Sequence, residues 1–292
     1  DERSAVFVIF EAESPDTDGG AGIWKEDLGW SENDAGVNQL ASTGLNNSTM
    51  PHGLFNTEPN QFEFRTINYE NRLVGSEVSN SAPSFVGSEI SFGFIYSNRL
   101  GFLSKENVIL SQSSEFNNFY FITAQTISAA DPIDFNVSSI RPAKLYAAVP
   151  QAQGLILFSD FEQFNMYSEQ GTLTPQDTII RSISNYESTN DIVPVDIGTN
   201  IIFVSKTPAF IRTMAMTTRG EVNSPVVIDI GKQAAEYVPN TVTDMVASTQ
   251  NSFIAMSSQN NGDVFFYRFF NNGQETIMQA WFKWVMPGAI QT

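Results

Sequence analysis

The sequence contains no cysteine, which excludes a disulfide framework and any Cys-ligated zinc site and leaves the compartment open. Histidine occurs once, at His52, so a multi-histidine metal site is excluded by count. His52 ends Thr49-Met50-Pro51-His52, which reads as a loop, and no serine motif of the nucleophile-elbow type accompanies it, so a Ser-His-Asp triad is not expected. Basic residues are scarce: 15 Lys and Arg stand against 32 Asp and Glu, a net charge of −17. No Lys/Arg cluster exists to displace counterions from phosphates, which argues against gripping nucleic acid or anionic lipid. An acidic surface would act in the opposite sense and repel DNA passing close by. No apolar run approaches the ~18–20 residues of a membrane helix, so no membrane span is expected. Asp1-Glu2-Arg3 followed by the short run Ala5 to Phe10 does not read as a signal peptide. With no initiator Met, the sequence is expected to be a fragment from the middle of a longer chain. Gly19-Gly20-Ala21-Gly22 has neither spacing of a phosphate-binding glycine loop, and no cofactor is expected.

What the sequence has in quantity is short apolar runs. Leu155-Ile156-Leu157-Phe158, Ile201-Ile202-Phe203-Val204 and Phe253-Ile254-Ala255-Met256 each stop at a serine, Ser159, Ser205 and Ser257. Leu100-Gly101-Phe102-Leu103 does the same at Ser104. After each, a polar turn leads to a second apolar run, the pattern of a β-hairpin. Recurrence at roughly 50 residues is the period of propeller blades or arrays. A first strand precedes each hairpin, at Ile90 to Tyr96, Lys144 to Val149, Ile192 to Ile197 and Val242 to Val246. Thr276 to Val285 reads as a closing aromatic strand, and Gly231 to Tyr237 as a short helix. The fold expected is all-β, with β-propeller-like repeats over 88–292 and a strand plus loop-rich segment over 1–87. A β-sandwich is the rival architecture, since strand count alone does not set closure. Phe102 and Phe203 are expected in the core.

Few constellations offer chemistry. Asp16 and Asp18 lie in an acidic loop, but the sixth-position Gly and twelfth-position Glu of a calcium loop are missing, so a solvated loop is expected. Asp160/Glu162 and Asp131/Asp134 are the carboxylate pairs that a glycosidase would need; both sit where turns already call for Asp. Trp281 and Trp284, three apart on one strand, point to opposite faces, so one can be core while the other meets a partner. No catalytic, cofactor-binding or metal-binding residue is assigned.

Beyond these patterns, an ordered series of short motifs resembles one family. Asn46-Asn47-Ser48-Thr49-Met50-Pro51-His52, Pro83-Ser84-Phe85-Val86-Gly87, Asn98-Arg99-Leu100-Gly101-Phe102-Leu103-Ser104 with Glu106-Asn107-Val108, and Asp131-Pro132-Ile133-Asp134 are similar to the tail tubular protein B (nozzle) family of short-tailed phages. So are Ala148-Val149-Pro150, Gly171-Thr172-Leu173-Thr174, Tyr237-Val238-Pro239-Asn240 and Gln279-Ala280-Trp281-Phe282-Lys283-Trp284. The resemblance, to podoviruses of the autographivirus type, implies a non-enzymatic virion protein that forms a homohexameric ring. It implies a place below the adaptor ring of tail tubular protein A, a β-propeller in the middle part, tail fibres attached at the side, and a channel through which DNA leaves without sequence-specific binding. Family members are much longer than this chain. Two alternatives remain from the residues: a glycan-binding or glycan-cleaving tail protein using Trp281, Trp284 and the turn carboxylates, and a cellular β-propeller scaffold.

Overall fold

Val, Ile, Phe and Tyr dominate the repeated runs, and such side chains suit a pleated, half-buried surface. The structure is a computed structural model that describes residues 6–12, 22–32, 38–40, 44–217, 224–259, 261–271, 276–288 and 290; the acidic loop with Asp16 and Asp18 lies outside these. Among the described residues the chain is all-β, and its one helical element is a 3-10 turn at Lys232–Ala234. The helix expected over Gly231 to Tyr237 is therefore only a single turn. No side chain caps it, and Ala235 leaves the helical region at ψ 141°. The chain divides into two compact units, Asp1–Asn136 with Ser168–Thr178, and Val137–Tyr167 with Ile179–Thr292.

In the first unit three two-stranded hairpins precede a sheet. The hairpins pair β1 (Val8–Ala12) with β2 (Gly22–Glu26), β3 (Trp30–Glu32) with β4 (Asn38–Leu40), and β5 (His52–Glu58) with β6 (Gln61–Thr66). His52 thus begins a strand instead of lying in a loop. The sheet comprises β7 (Phe92–Tyr96), β8 (Arg99–Ser104), β9 (Asn107–Leu110) and β10 (Ile133–Asn136), antiparallel in chain order. One face of β8 and β9 offers Phe102 and Ile109 to Met50, Tyr69, Phe85 and Phe119. Phe85 meets Phe102 and Phe119 edge-on at 5.7 and 5.3 Å, the geometry that aromatic quadrupoles favour. Arg99, 2 % exposed, donates to the carbonyl oxygens of Ser111, Ala129, Ala130 and Asp131 at 2.7–3.1 Å and so ties the loop before β10 to the sheet.

The second unit holds three more four-stranded antiparallel meanders. They are β11 (Leu145–Gln151) to β12 (Gly154–Ser159), β13 (Gln163–Ser168) and β14 (Thr178–Ser184); β15 (Val195–Asp196) to β16 (Asn200–Lys206), β17 (Ile211–Thr217) and β18 (Val227–Asp229); and β19 (Asp244–Ser248) to β20 (Phe253–Ser257), β21 (Asp263–Asn271) and β22 (Thr276–Val285). The expected hairpins are strands two and three of each sheet. The repeat is longer than expected by a fourth strand, which in β10, β14 and β18 is short of fully buried residues.

Alternation along β16 shows how these sheets stack. Ile201 and Phe203 pack with Ile156 and Phe158 of β12, while Ile202 and Val204 pack with Ile254 and Met256 of β20. A strand buried on both faces reads as a continuous apolar run instead of an alternating one, which is why the quartets are solid. Each fully buried Phe, Ile or Leu contributes about 1.5–3 kcal/mol from leaving water. Hydrogen bonds stitch neighbours together as well: Ser188 Oγ donates to the Ser159 carbonyl oxygen at 2.9 Å, and the Ile211 amide donates to the Val238 carbonyl oxygen at 3.0 Å.

Candidate functional site

The residues with potential for chemistry are committed to structure. His52 Nδ1 lies 2.9 Å from the Met50 carbonyl oxygen, and the ring stacks on Phe64 at 5.4 Å; a main-chain oxygen and a phenyl ring form no proton relay. Asp160 lies in the turn joining β12 to β13. Glu162 accepts hydrogen bonds from the hydroxyls of Ser139 and Ser182 and from its side-chain anchor tightens the same turn. Asp131 accepts from the Ser128 amide at 2.7 Å, and Asp134 from the Ser84 amide at 2.7 Å. Burial pushes the Asp131 carboxyl above the usual carboxylate range, an effect opposed by the Ser128 hydrogen bond and by Arg99. Both pairs hold turns, the role that Asp favours for backbone reasons. No group of three or more His, Cys, Asp or Glu among the described residues could hold a metal ion.

Exposed apolar faces, not polar clusters, are what the elements present to solvent. In the β5–β6 hairpin Leu54 pairs with Phe64 and Asn56 with Phe62, so Leu54, Phe62 and Phe64 share one face. Leu54 is 67 % exposed and Phe64 71 %. The opposite face carries Phe55, covered by the Arg65 guanidinium at 4.4 Å. The β1–β2 hairpin exposes Ile9, Phe10, Ile23 and Trp24, with Phe10 against Trp24 at 5.2 Å.

A third such face belongs to β19–β22. Trp281 pairs with Tyr267 and Trp284 with Val264, which puts the two tryptophans on opposite sides, as their spacing implied. Trp281 packs into the core against Tyr267 at 5.0 Å and its indole N–H points at the Ile230 carbonyl oxygen at 3.4 Å. Trp284, 53 % exposed, stands on the outer face 4.5 Å from Phe266, which in turn stacks on Phe282 at 5.2 Å. Phe270, Met278 and Val246 are exposed as well. This face, apolar except for the exposed Arg268 between Phe266 and Phe270, is a candidate interaction surface. The second strand of the β5–β6 hairpin is legible in the sequence as the alternation Phe62-Glu63-Phe64-Arg65-Thr66-Ile67 and is found at Gln61–Thr66; the first was missed because Pro51-His52-Gly53 reads as a turn.

Comparison with known proteins agrees with a chain built for contact. Tail tubular protein gp12 of Escherichia phage T7 is 33 % identical over 264 residues, which is 90 % of this chain and 32 % of that protein; the chain thus spans about a third of the length of that relative. Among solved structures, Kluyvelomyces marxianus Hsv2 aligns with 82 % of this chain and 57 % of its own at 9 % identity and a TM-score of 0.36, too slight a likeness to carry an argument. The bacteriophage nozzle protein family matches residues 3–292. With the family matched over nearly its whole length, the chain belongs to the bacteriophage nozzle proteins, components of the phage tail.

Proposed function

We propose that the chain is a subunit of a sixfold tail-nozzle ring that sits below an adaptor ring of tail tubular protein A, lines the DNA-ejection channel and offers a platform to tail fibres. The observation that carries this reading is the outer face of β19–β22, where the exposed Trp284 packs with the half-buried Phe266 and Phe282 in one aromatic cluster. Such a surface offers apolar area to a partner, and heterologous contact between unlike patches closes into a ring where the rotation between subunits allows it. The β5–β6 hairpin, with Leu54 and Phe64 exposed, supplies a second patch of the complementary kind. The repeat region 88–292 is read as propeller-like, its meanders serving as blades, with 1–87 as a segment beside it that reaches neighbours. A net charge of −17 suits a channel through which DNA slides without sticking.

The test is negative-stain imaging of the purified chain, alone and mixed with its adaptor ring. Sixfold rings that stack on the adaptor are expected, and Trp284→Glu, on an exposed face, is expected to abolish them while leaving the circular dichroism spectrum unchanged. Rings that form equally well with Trp284→Glu would remove the β19–β22 face from the contact, and monomers with and without the adaptor would sink the assembly reading.

A further inference from the structure

In the first unit a cavity of 950 Å³ is walled by Met50, Phe85, Val86, Ile90 and Tyr120, with Arg72 and Glu77 on the same wall. Its size falls within the range of ligand pockets. Arg72 is 1 % exposed. Its Nη1 donates to Glu77 Oε1 at 2.8 Å, and the guanidinium lies over the Tyr120 ring at 5.2 Å. The Nε and Nη2 groups find no acceptor among the described residues.

Arg99 gives the comparison within the same unit. It is buried to the same degree, yet carbonyl oxygens of Ser111, Ala129, Ala130 and Asp131 receive its N–H groups. A buried charged donor without an acceptor costs more than about 1–3 kcal/mol, so this fold surrounds one buried arginine with four carbonyl acceptors and leaves the other with an unfilled edge. That edge is specific in shape. Nε–H and one Nη2–H are parallel donors, spaced to meet the two oxygens of a single carboxylate. One carbonyl oxygen cannot span both.

We propose that this cavity is a binding site for a carboxylate carried on an apolar stem, its two oxygens received side-on by Arg72 Nε and Nη2 and its stem lying against Met50, Phe85 and Ile90. Both nitrogens are buried and Arg72 itself lines the cavity, so binding includes a movement of the side chains that cover that edge. A tetrahedral dianion fits less well, because Glu77 already brings one negative charge to the guanidinium and a second and third would repel it. The site is independent of ring assembly, and its test does not depend on that reading.

The experiment titrates butyrate into the ¹⁵N-labelled chain at neutral pH and follows the Arg72 Nε–Hε resonance, assigned by its disappearance in Arg72→Lys. A saturable displacement is expected with butyrate, with a response about tenfold weaker to butyramide, which keeps the shape and drops the charge. Val86→Trp, at the exposed rim, is expected to block the displacement while leaving the Arg72–Glu77 contact intact. The capped peptide acetyl-Ala-Glu-Ala-amide, run in parallel, separates the sources. Saturation below the butyrate concentration assigns the site to a polypeptide carboxylate, and saturation above it to a free organic acid. A resonance that stays still in both up to about 100 mM, well above a millimolar dissociation constant, overturns the proposal. So does an equal response to butyramide or to inorganic phosphate.

Discussion

Phe203 and Phe64 are the same side chain in opposite surroundings. Phe203 is fully enclosed between two sheets, packed on Phe158 at 5.5 Å, whereas Phe64 stands on an exposed hairpin face. Removing the first leaves a cavity that close-packed neighbours cannot fill, so Phe203→Ala is expected to cost about 3–5 kcal/mol. Phe64→Ala should fall within about 0.5 kcal/mol. Chemical denaturation of both variants checks this, and a Phe203→Ala midpoint equal to wild type would mean the strand faces are wrongly assigned. Tyr267 carries a pH dependence. Burial raises its phenol to about 12, and its hydroxyl donates to Gln279 Oε1 at 2.7 Å. Because the folded value exceeds the usual value near 10, its contribution is complete below pH ~10 and is lost as pH climbs through about 12, at most about 3 kcal/mol. Absorbance titration at the phenolate band should show Tyr267 ionising late, together with unfolding. An early, reversible ionisation with the fold intact would contradict the burial. Tyr146 is held un-ionised in the same direction by its burial, against the opposing effect of the Ser188 hydroxyl it donates to.

At the scale of elements, the strands most plainly legible in sequence are those buried on both faces, although the largely exposed Thr276–Val285 was legible too. Ile201 to Val204 and Leu155 to Phe158 are unbroken apolar runs because a sheet covers each side. The closing serines lie at or next to the ends of their strands, where Ser104 Oγ donates to the Glu89 carbonyl oxygen and Ser159 Oγ to that of Glu162 in the turn that follows. The outermost strands left weaker traces. Val227–Asp229 is three residues long and Ile133–Asn136 alternates buried with exposed positions, so Asp131-Pro132-Ile133-Asp134 looked like a turn alone. The side-chain sites were legible only in part. Opposite faces for Trp281 and Trp284 followed from spacing, but the partly satisfied Arg72 did not, since nothing in sequence separates it from Arg99. One backbone requirement was visible as a glycine without its reason. Gly154 opens β12 at φ +152°, and an added Cβ would come within 2.9 Å of the Met166 carbonyl oxygen and collide with Asn165 Oδ1. Gly154→Ala should therefore push β12 from β13 and cost about 1–3 kcal/mol. Hydrogen exchange should rise first at the Leu155 and Met166 amides, and protection unchanged there would show that the turn absorbs the methyl group.

For the whole molecule the balance is between apolar faces that draw subunits together and charge that drives them apart. Each chain carries a net −17 and a sequence pI near 4.3, so six of them in the proposed ring would repel one another over any distance that salt does not screen. The outer face of β19–β22 gains by leaving water and is indifferent to salt at these concentrations. Screening shortens the reach of the repulsion to about 10 Å at 0.1 M and leaves the apolar gain untouched. The ring fraction should accordingly rise as sodium chloride goes from about 20 to about 300 mM, the opposite of an interface held by ion pairs. Sedimentation velocity at fixed protein concentration reads this directly. A ring fraction that falls with added salt would place the holding contacts among the charged residues and take them away from Phe266, Phe282 and Trp284. A rise that disappears in Trp284→Glu would tie the same curve to that aromatic face, because the substitution adds repulsion and removes apolar area at one point.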